Sequence, residues 1–363
     1  MKAISRREWL EWLAFGALPL ALAGRAASAA WANACGRLAG TKIGWIVPNA
    51  LGGGYDSYSR LIAPHLEKAL SARIAIRNVP GAGGLVGAKA IVDSRPDGRT
   101  IGIINASGLL AASLAGEMRA PNPATAFTLL GRIVGSRQIW ACGNDSPLRT
   151  IDDLFEAART RPIAGGTRDV GSLGFINLTL TAHVIGLNIE VVAGYEGSGA
   201  GALASARGEV DVVAYNFDSI VSHIENGDVR PLLQVANSRV SSHPSLDNVP
   251  LLGGHDGIAA GRARSQARPV EETLDDVTTV VDLLNVGRLV VGPPAMARDL
   301  SACLEEAVLE ALRDPALRAL AARAHLSLDV ASGSDARRAL VGVASRMDKF
   351  IPVIEQAIRK LRG

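Results

Sequence analysis

Cysteine is scarce. Three cysteines, Cys35, Cys142 and Cys303, stand far apart in 363 residues. That spacing excludes a cysteine-built metal centre and a dense disulfide scaffold. It leaves room for one disulfide in an oxidising compartment, gives no ground for choosing the pair, and leaves at least one thiol over. Aromatic residues make up only 4% of the chain and the formal net charge is +3. No basic stripe interleaved with aromatics occurs, which argues against nucleic-acid binding. The six histidines are dispersed, without H-E-x-x-H spacing. No G-x-x-x-x-G-K-[ST] loop occurs. The nearest approach to a nucleophile elbow is Ser198, where Glu196 replaces the first glycine. Gly81-x-Gly83-x-x-x-Gly87 is a weak dinucleotide-type turn, because the following strand ends at Asn105 without the acidic residue that would hold a ribose. No catalytic residue, metal or cofactor is therefore expected.

The N-terminus reads as an export signal. Ser5-Arg6-Arg7 precedes an apolar segment too short to span a bilayer, then small residues at Ala27-Ser28-Ala29. The twin-arginine pattern predicts a signal peptide over residues 1–29, removed on the way to the periplasm. A lipid anchor at Cys35 is the lesser alternative.

What is present is glycine at strand ends. Pro48-Asn49-Ala50-Leu51-Gly52-Gly53-Gly54-Tyr55-Asp56 and Asn78-Val79-Pro80-Gly81-Ala82-Gly83-Gly84 each follow a β-branched run and open a helical pattern. A strand that ends in glycines and starts a helix exposes backbone N–H groups that attract an anion. With a third strand over 100–104, the first part reads β-α-β-α-β, which argues for a parallel sheet. Segments 128–134 and 138–142 read as extended crossovers into a second unit of the same logic, and 230–236 as the return. The predicted fold class is α/β, with two α/β domains, 41–136 plus 237–363 and 137–236, joined by crossovers around a cleft. Residues 253–285 are poorly patterned and predict a long surface insertion. The crossovers predict a hinge.

Ligands lie where such loops converge. Backbone N–H groups at Gly53, Gly54, Gly83 and Gly84 are candidates to hold a small carboxylate. Ser107, Thr167, Ser172 and Ser198 are candidate hydroxyl donors, although serine and threonine at these places also serve as helix caps. Tyr195 offers a wall and one hydrogen bond. Asp56 either caps its helix or faces the cleft. Arg168 either meets a second carboxylate or pairs with Asp169. Pro48, Leu51, Ala82, Asn105, Gly197, Asn216 and Asp218 lie in the same loops and complete the candidate ligand set.

Several runs together resemble a known family. P-x-x-x-G-G-G-x-D (48–56), N-x-P-G-A-G-G-x-x-G (78–87), P-D-G-x-T (96–100), Gly194-Tyr195-Glu196-Gly197-Ser198 and Asn226-Gly227-Asp228-Val229-Arg230-Pro231-Leu232 resemble the periplasmic solute-binding proteins of tripartite tricarboxylate transporters, the Bug family. The resemblance implies a type II periplasmic-binding-protein fold without catalysis, probing for a small organic carboxylate and delivering it to membrane permease subunits, as a monomer. It departs from the family's pattern at Asn49 to Leu51, at Val79 and at Gly165 to Asp169, which puts two charges near the second mouth. The alternatives are a receptor for a membrane sensor, or an α/β enzyme.

Overall fold

The computed structural model describes residues 35–117, 120–135, 137–239 and 243–362, so the expected signal over 1–29 lies outside the described residues. The chain begins with β1 (Lys42–Val47), α1 (Gly54–Leu70), β2 (Arg73–Asn78), α2 (Leu85–Val92), β3 (Thr100–Asn105), α3 (Ala106–Leu114) and β4 (Thr128–Val134). It continues through β5 (Gln138–Gly143), α4 (Ile151–Ala157), β6 (Ile163–Thr167), α5 (Leu173–Ile185), β7 (Ile189–Ala193), α6 (Ser198–Ala206), β8 (Val212–Asn216), α7 (Val221–Glu225) and β9 (Val229–Val235). It closes with α8 (Ile258–Ser265), α9 (Val270–Asn285), β10 (Arg288–Gly292), α10 (Arg298–Arg313), α11 (Pro315–Arg323), α12 (Gly333–Ala344) and α13 (Ile351–Arg362).

Two five-stranded sheets form, in the orders β2-β1-β3-β10-β4 and β7-β6-β8-β5-β9. β1 pairs in parallel with β2 and β3, and β6 in parallel with β7 and β8. Each sheet also takes one antiparallel strand, β10 in the first and β5 in the second. The parallel pairing expected of the first three strands is observed, and the antiparallel strands are additions that the sequence did not show. The central strands are covered on both faces, which explains why β1 reads as a nearly unbroken apolar run. Ile43, Trp45 and Val47 pack into one hydrophobic cluster and Ile46 into another. The expected crossovers are themselves strands: 128–134 is the edge of the first sheet, 138–143 lies inside the second, and 229–235 is the second sheet's edge.

The expected surface insertion over 253–285 is not one. It folds as α8 and α9, and Ala259, Ala260, Val277, Val280, Leu283 and Leu284 are fully or nearly fully buried. Both α9 and α13 pack against α5 of the second sheet, which ties part of segment 237–363 to that unit. Scattered small residues and charges hid an amphipathic stripe that only α5 completes.

Cys35 and Cys303 form a disulfide, with Cα atoms 5.6 Å apart, that joins the start of the described chain to α10. Cys35 sulfur is thereby committed, which corrects the lipid-anchor alternative. Cys142 is free and buried, and burial pushes its thiol up to about 11. Among the described residues no helix is long and apolar enough to cross a membrane.

Candidate functional site

The two sheets meet at a small cavity of about 100 Å³. Three helices begin on it. Gly53, Gly54 and Tyr55 bring the start of α1, Ser172, Leu173 and Gly174 that of α5, and Gly197 and Ser198 that of α6. Gly53 and Gly197 are the N-caps of their helices and neither helix has a side-chain cap. α5 is capped by Ser172, whose Oγ accepts from the Phe175 N–H at 3.2 Å. Each helix start carries about half a positive charge, so three of them make the space favourable to an anion. Arg168 and Arg288 line the same cavity, and among the described residues no aspartate or glutamate does.

Arg288 opens β10, directly across from Asn105 of β3. It is only 4% exposed. Its guanidinium lies 4.9 Å from the ring centroids of both Tyr55 and Tyr58, and Nη2 donates to Ser219 Oγ at 3.2 Å. Nε and Nη1 are buried without a partner. Burial raises the Tyr55 hydroxyl pKa despite the opposing pull of Arg288 and Arg168. Burial likewise raises Tyr58 and Tyr215, so all three phenols stay neutral. Asn216 and Gln138 are paired across β8 and β5 and also line the cavity. Neither amide atom of Asn216 has a partner, and Gln138 Nε2 has none.

The predicted residues divide. Gly53, Gly54, Asn105, Arg168, Ser172, Gly197, Ser198 and Asn216 line the cavity. Leu51 does not; it is 71% exposed. Asp56 is buried and holds its own turn together, accepting from Gly52 N at 3.0 Å, Arg60 Nε at 2.9 Å and Asn78 Nδ2 at 3.1 Å. Burial alone would raise the Asp56 pKa, but these bonds outweigh it and leave it lowered. Pro48 packs against the second turn: a Cβ on Gly84 would meet its ring at 3.4 Å, and one on Gly87 at 2.7 Å. Ser107 Oγ donates to the Leu284 carbonyl, Thr167 Oγ1 lies 2.7 Å from Ser172 Oγ, and Tyr195 packs over Gly166. Asp218 pairs with Arg137 and accepts from Ser327 N at 3.1 Å, which makes it part of the junction between the sheets.

The second glycine turn is already occupied. Gly83 N–H donates to Asp169 Oδ2 at 2.6 Å, from the loop after β6. A Cβ on Gly83 would lie 2.4 Å from Gly171 Cα. Ala82 is exposed, and neither it nor Gly83 nor Gly84 lines the cavity. Arg168 Nε sits 3.3 Å from Asp169 Oδ2, so the pairing with its neighbour is the one observed. The carboxylate expected at this turn is therefore the protein's own.

Asn49, Tyr55, Gln138, Leu173, Gly174, Tyr215, Ser219 and Arg288 also line the cavity and were not singled out from the sequence. A signal existed for Arg288, since a lone arginine heading an otherwise apolar five-residue strand must be buried or paired. A larger recess of about 590 Å³ lies beside the crossovers, among Gln138, Gln234, Asn285 and Ser327. Neither glycine turn reaches it, and its arginines Arg132 and Arg137 are paired with Asp329 and Asp218.

The sequence over residues 58–262 matches the family described as tripartite tricarboxylate transporter family receptor. The chain is similar to Protein BugT of Bordetella pertussis, at 26% identity over 221 residues, covering 60% of this chain and 68% of that protein. It is also similar to a UPF0065 protein from the ttuE-ttuC' intergenic region of Agrobacterium vitis, at 23% identity over 266 residues, covering 70% and 76%. Among solved structures, a Rhodopseudomonas palustris protein with adipate superposes with a TM-score of 0.70 at 21% identity, covering 86% of this chain and 97% of that one. The periplasmic binding protein BugD does so with 0.67 at 18%, covering 87% and 97%. MatC of Rhodopseudomonas palustris, solved with malate, gives 0.66 at 20%, covering 88% and 99%. The fold is that of the periplasmic binding proteins, and by the match over more than half its length the chain belongs to the family of tripartite tricarboxylate transporter receptors.

Proposed function

We propose that this protein is an extracytoplasmic receptor that captures a small organic carboxylate between its two lobes and delivers it to the membrane permease subunits of a tripartite transporter. The observation that carries the reading is electrostatic. Three helix starts and two arginines meet at one cavity that no acidic side chain of the described residues lines. That arrangement holds an anion and offers no nucleophile–base pair for turnover, so the role is binding rather than catalysis. Two solved relatives hold malate and adipate, both carboxylates. The Cys35–Cys303 disulfide suits an oxidising compartment, in keeping with export to the periplasm through the twin-arginine signal over 1–29.

Two lobes, one on each sheet, close on the solute about the crossovers near 132–142 and 230–236, with α9 and α13 of segment 237–363 going with the lobe of 137–236, and the receptor acts as a monomer. Titration calorimetry of ligand-stripped protein against mono-, di- and tricarboxylates tests the reading. A bound acid at a hundredfold excess over its Kd stabilises the fold by about 2.7 kcal/mol. No heat and no thermal shift across the whole set would defeat it. X-ray scattering with and without the acid that binds tests closure; an unchanged envelope counts against the hinge.

A further inference from the structure

Resting on the carboxylate reading above, we infer that Arg288 is the carboxylate anchor and that the solute carries one carboxylate and one neutral group that both donates and accepts a hydrogen bond. A buried guanidinium is costly unless its donors are met. Arg288 is 4% exposed, spends one nitrogen on a serine hydroxyl and leaves two others unmet, and it forms no ion pair with any carboxylate among the described residues. The rings of Tyr55 and Tyr58 flank the guanidinium, and its unmet Nε and Nη1 are left to donate to carboxylate oxygens.

The remaining unmet groups describe the other end of the solute. Asn216 is 4% exposed and Gln138 2% exposed. Together they present two amide donors and one amide acceptor without partners. Gln138 Oε1 already accepts from Asn177 Nδ2, so its amide has only the Nε2 donor left over. A hydroxyl or carboxamide satisfies such a set, because it both gives and takes a hydrogen bond. A second carboxylate does not: it cannot donate to Asn216 Oδ1, and the other arginine at the cavity is beside Asp169. An ammonium group does not either, since no acidic side chain of the described residues lines the cavity. The cavity's charge is matched by a monoanion, and the solute class is a short hydroxy- or amido-monocarboxylate.

Calorimetry with 2-hydroxypropanoate, propanoate, propanedioate and alanine reads this directly on the wild-type protein. 2-Hydroxypropanoate is expected to bind best, with propanoate weaker by roughly 5- to 10-fold for the lost hydroxyl. Arg288→Gln is expected to weaken every carboxylate roughly 10- to 100-fold. Asn216→Leu should erase the preference for 2-hydroxypropanoate over propanoate. Circular dichroism and a cooperative melt establish that each variant folds, and the wild-type ranking stands without them. Tighter binding of propanedioate or alanine than of 2-hydroxypropanoate overturns the inference, as does an Arg288→Gln protein that binds carboxylates as well as wild type. In both cases the receptor reading survives. Only silence from all carboxylates, longer di- and tricarboxylates included, defeats the receptor reading itself.

Discussion

The two glycine turns of the first sheet start from the same chemistry and end differently. Each closes a parallel strand, opens a helix and points backbone N–H groups outward. The turn before α1 lines the cavity through Gly53 and Gly54. The turn before α2 gives its Gly83 N–H to Asp169 and presses against Gly171. An uncapped N–H donates to whichever carboxylate is brought to it. At the first turn the opposing surface is Arg288, Ser219 and the start of α6, which leaves the place to a solute. At the second it is a loop that carries its own acid. The same local motif thus lines a cavity in one position and makes an internal contact with Asp169 in the other.

Substitutions can break this contrast. The largest effect is expected for Gly83→Ala. Gly83 has φ +69 and its new Cβ would lie 2.4 Å from Gly171 Cα, backbone against backbone. Denaturant unfolding should show a loss of about 1–3 kcal/mol. Gly53→Ala is the matched control, because its φ is −78 and its Cβ would meet nothing nearer than 3.6 Å. It should cost well under the Gly83 value, and equal losses at both turns would erase the distinction.

Asp169→Asn comes next. It keeps the shape and removes the charge that Gly83 N–H and Arg168 share. A charge-assisted hydrogen bond contributes about 1.5–3 kcal/mol, part of which a neutral amide keeps. Scattering should find the ligand-free protein more open than wild type. Freed of its neighbour, Arg168 should also bring dicarboxylate affinity closer to that for monocarboxylates. An unchanged envelope together with unchanged selectivity would mean that the Asp169 contact does nothing.

Asp56 sharpens the comparison from the other side, as the first turn's own carboxylate bound in place. Its pKa is lowered in the folded protein. The stability it contributes is therefore present above the unfolded carboxylate value near 4 and is lost as pH falls through the lower folded value. Asp56→Asn should cost about 1–2 kcal/mol at neutral pH. The variant should also lose less than wild type on acidification below about pH 4, as followed by denaturation at stepped pH. A steeper acid loss in the variant would contradict the assignment.

The smallest effect belongs to Leu51→Ser. At 71% exposed and off the cavity, Leu51 should change stability by no more than about 0.5 kcal/mol and leave carboxylate affinity as it was. A marked loss of binding would mean that the tip of the first turn closes over the solute after all.

Much of this was legible in the chain. Lys42–Val47, Arg73–Asn78 and Thr100–Asn105 show their strands by β-branched runs, and glycines mark where each helix starts. Asn105, Ser172 and Ser198 stand at strand ends and helix starts, positions set within a few residues of sequence. Other residues gave no such signal. Segment 253–285 looked like an insertion because its apolar residues are sparse until α5 supplies their partner. Ser107 and Thr167 were read as donors for a ligand, but buried hydroxyls take whatever carbonyl or hydroxyl packing brings.

The sequence alone settled the α/β architecture and the glycine turns at strand ends, because strand, glycine turn and helix start are fixed by φ/ψ preference and side-chain alternation over short spans. The tertiary structure decided which turn lines the cavity. β10 enters the first sheet between β3 and β4 after the chain has passed through the second sheet, and this sets Arg288 beside the start of α1. The loop after β6 crosses the cleft and carries Asp169 onto Gly83. Both outcomes depend on contacts between residues far apart in the chain, whose strength comes from burial and pairing that no local window contains.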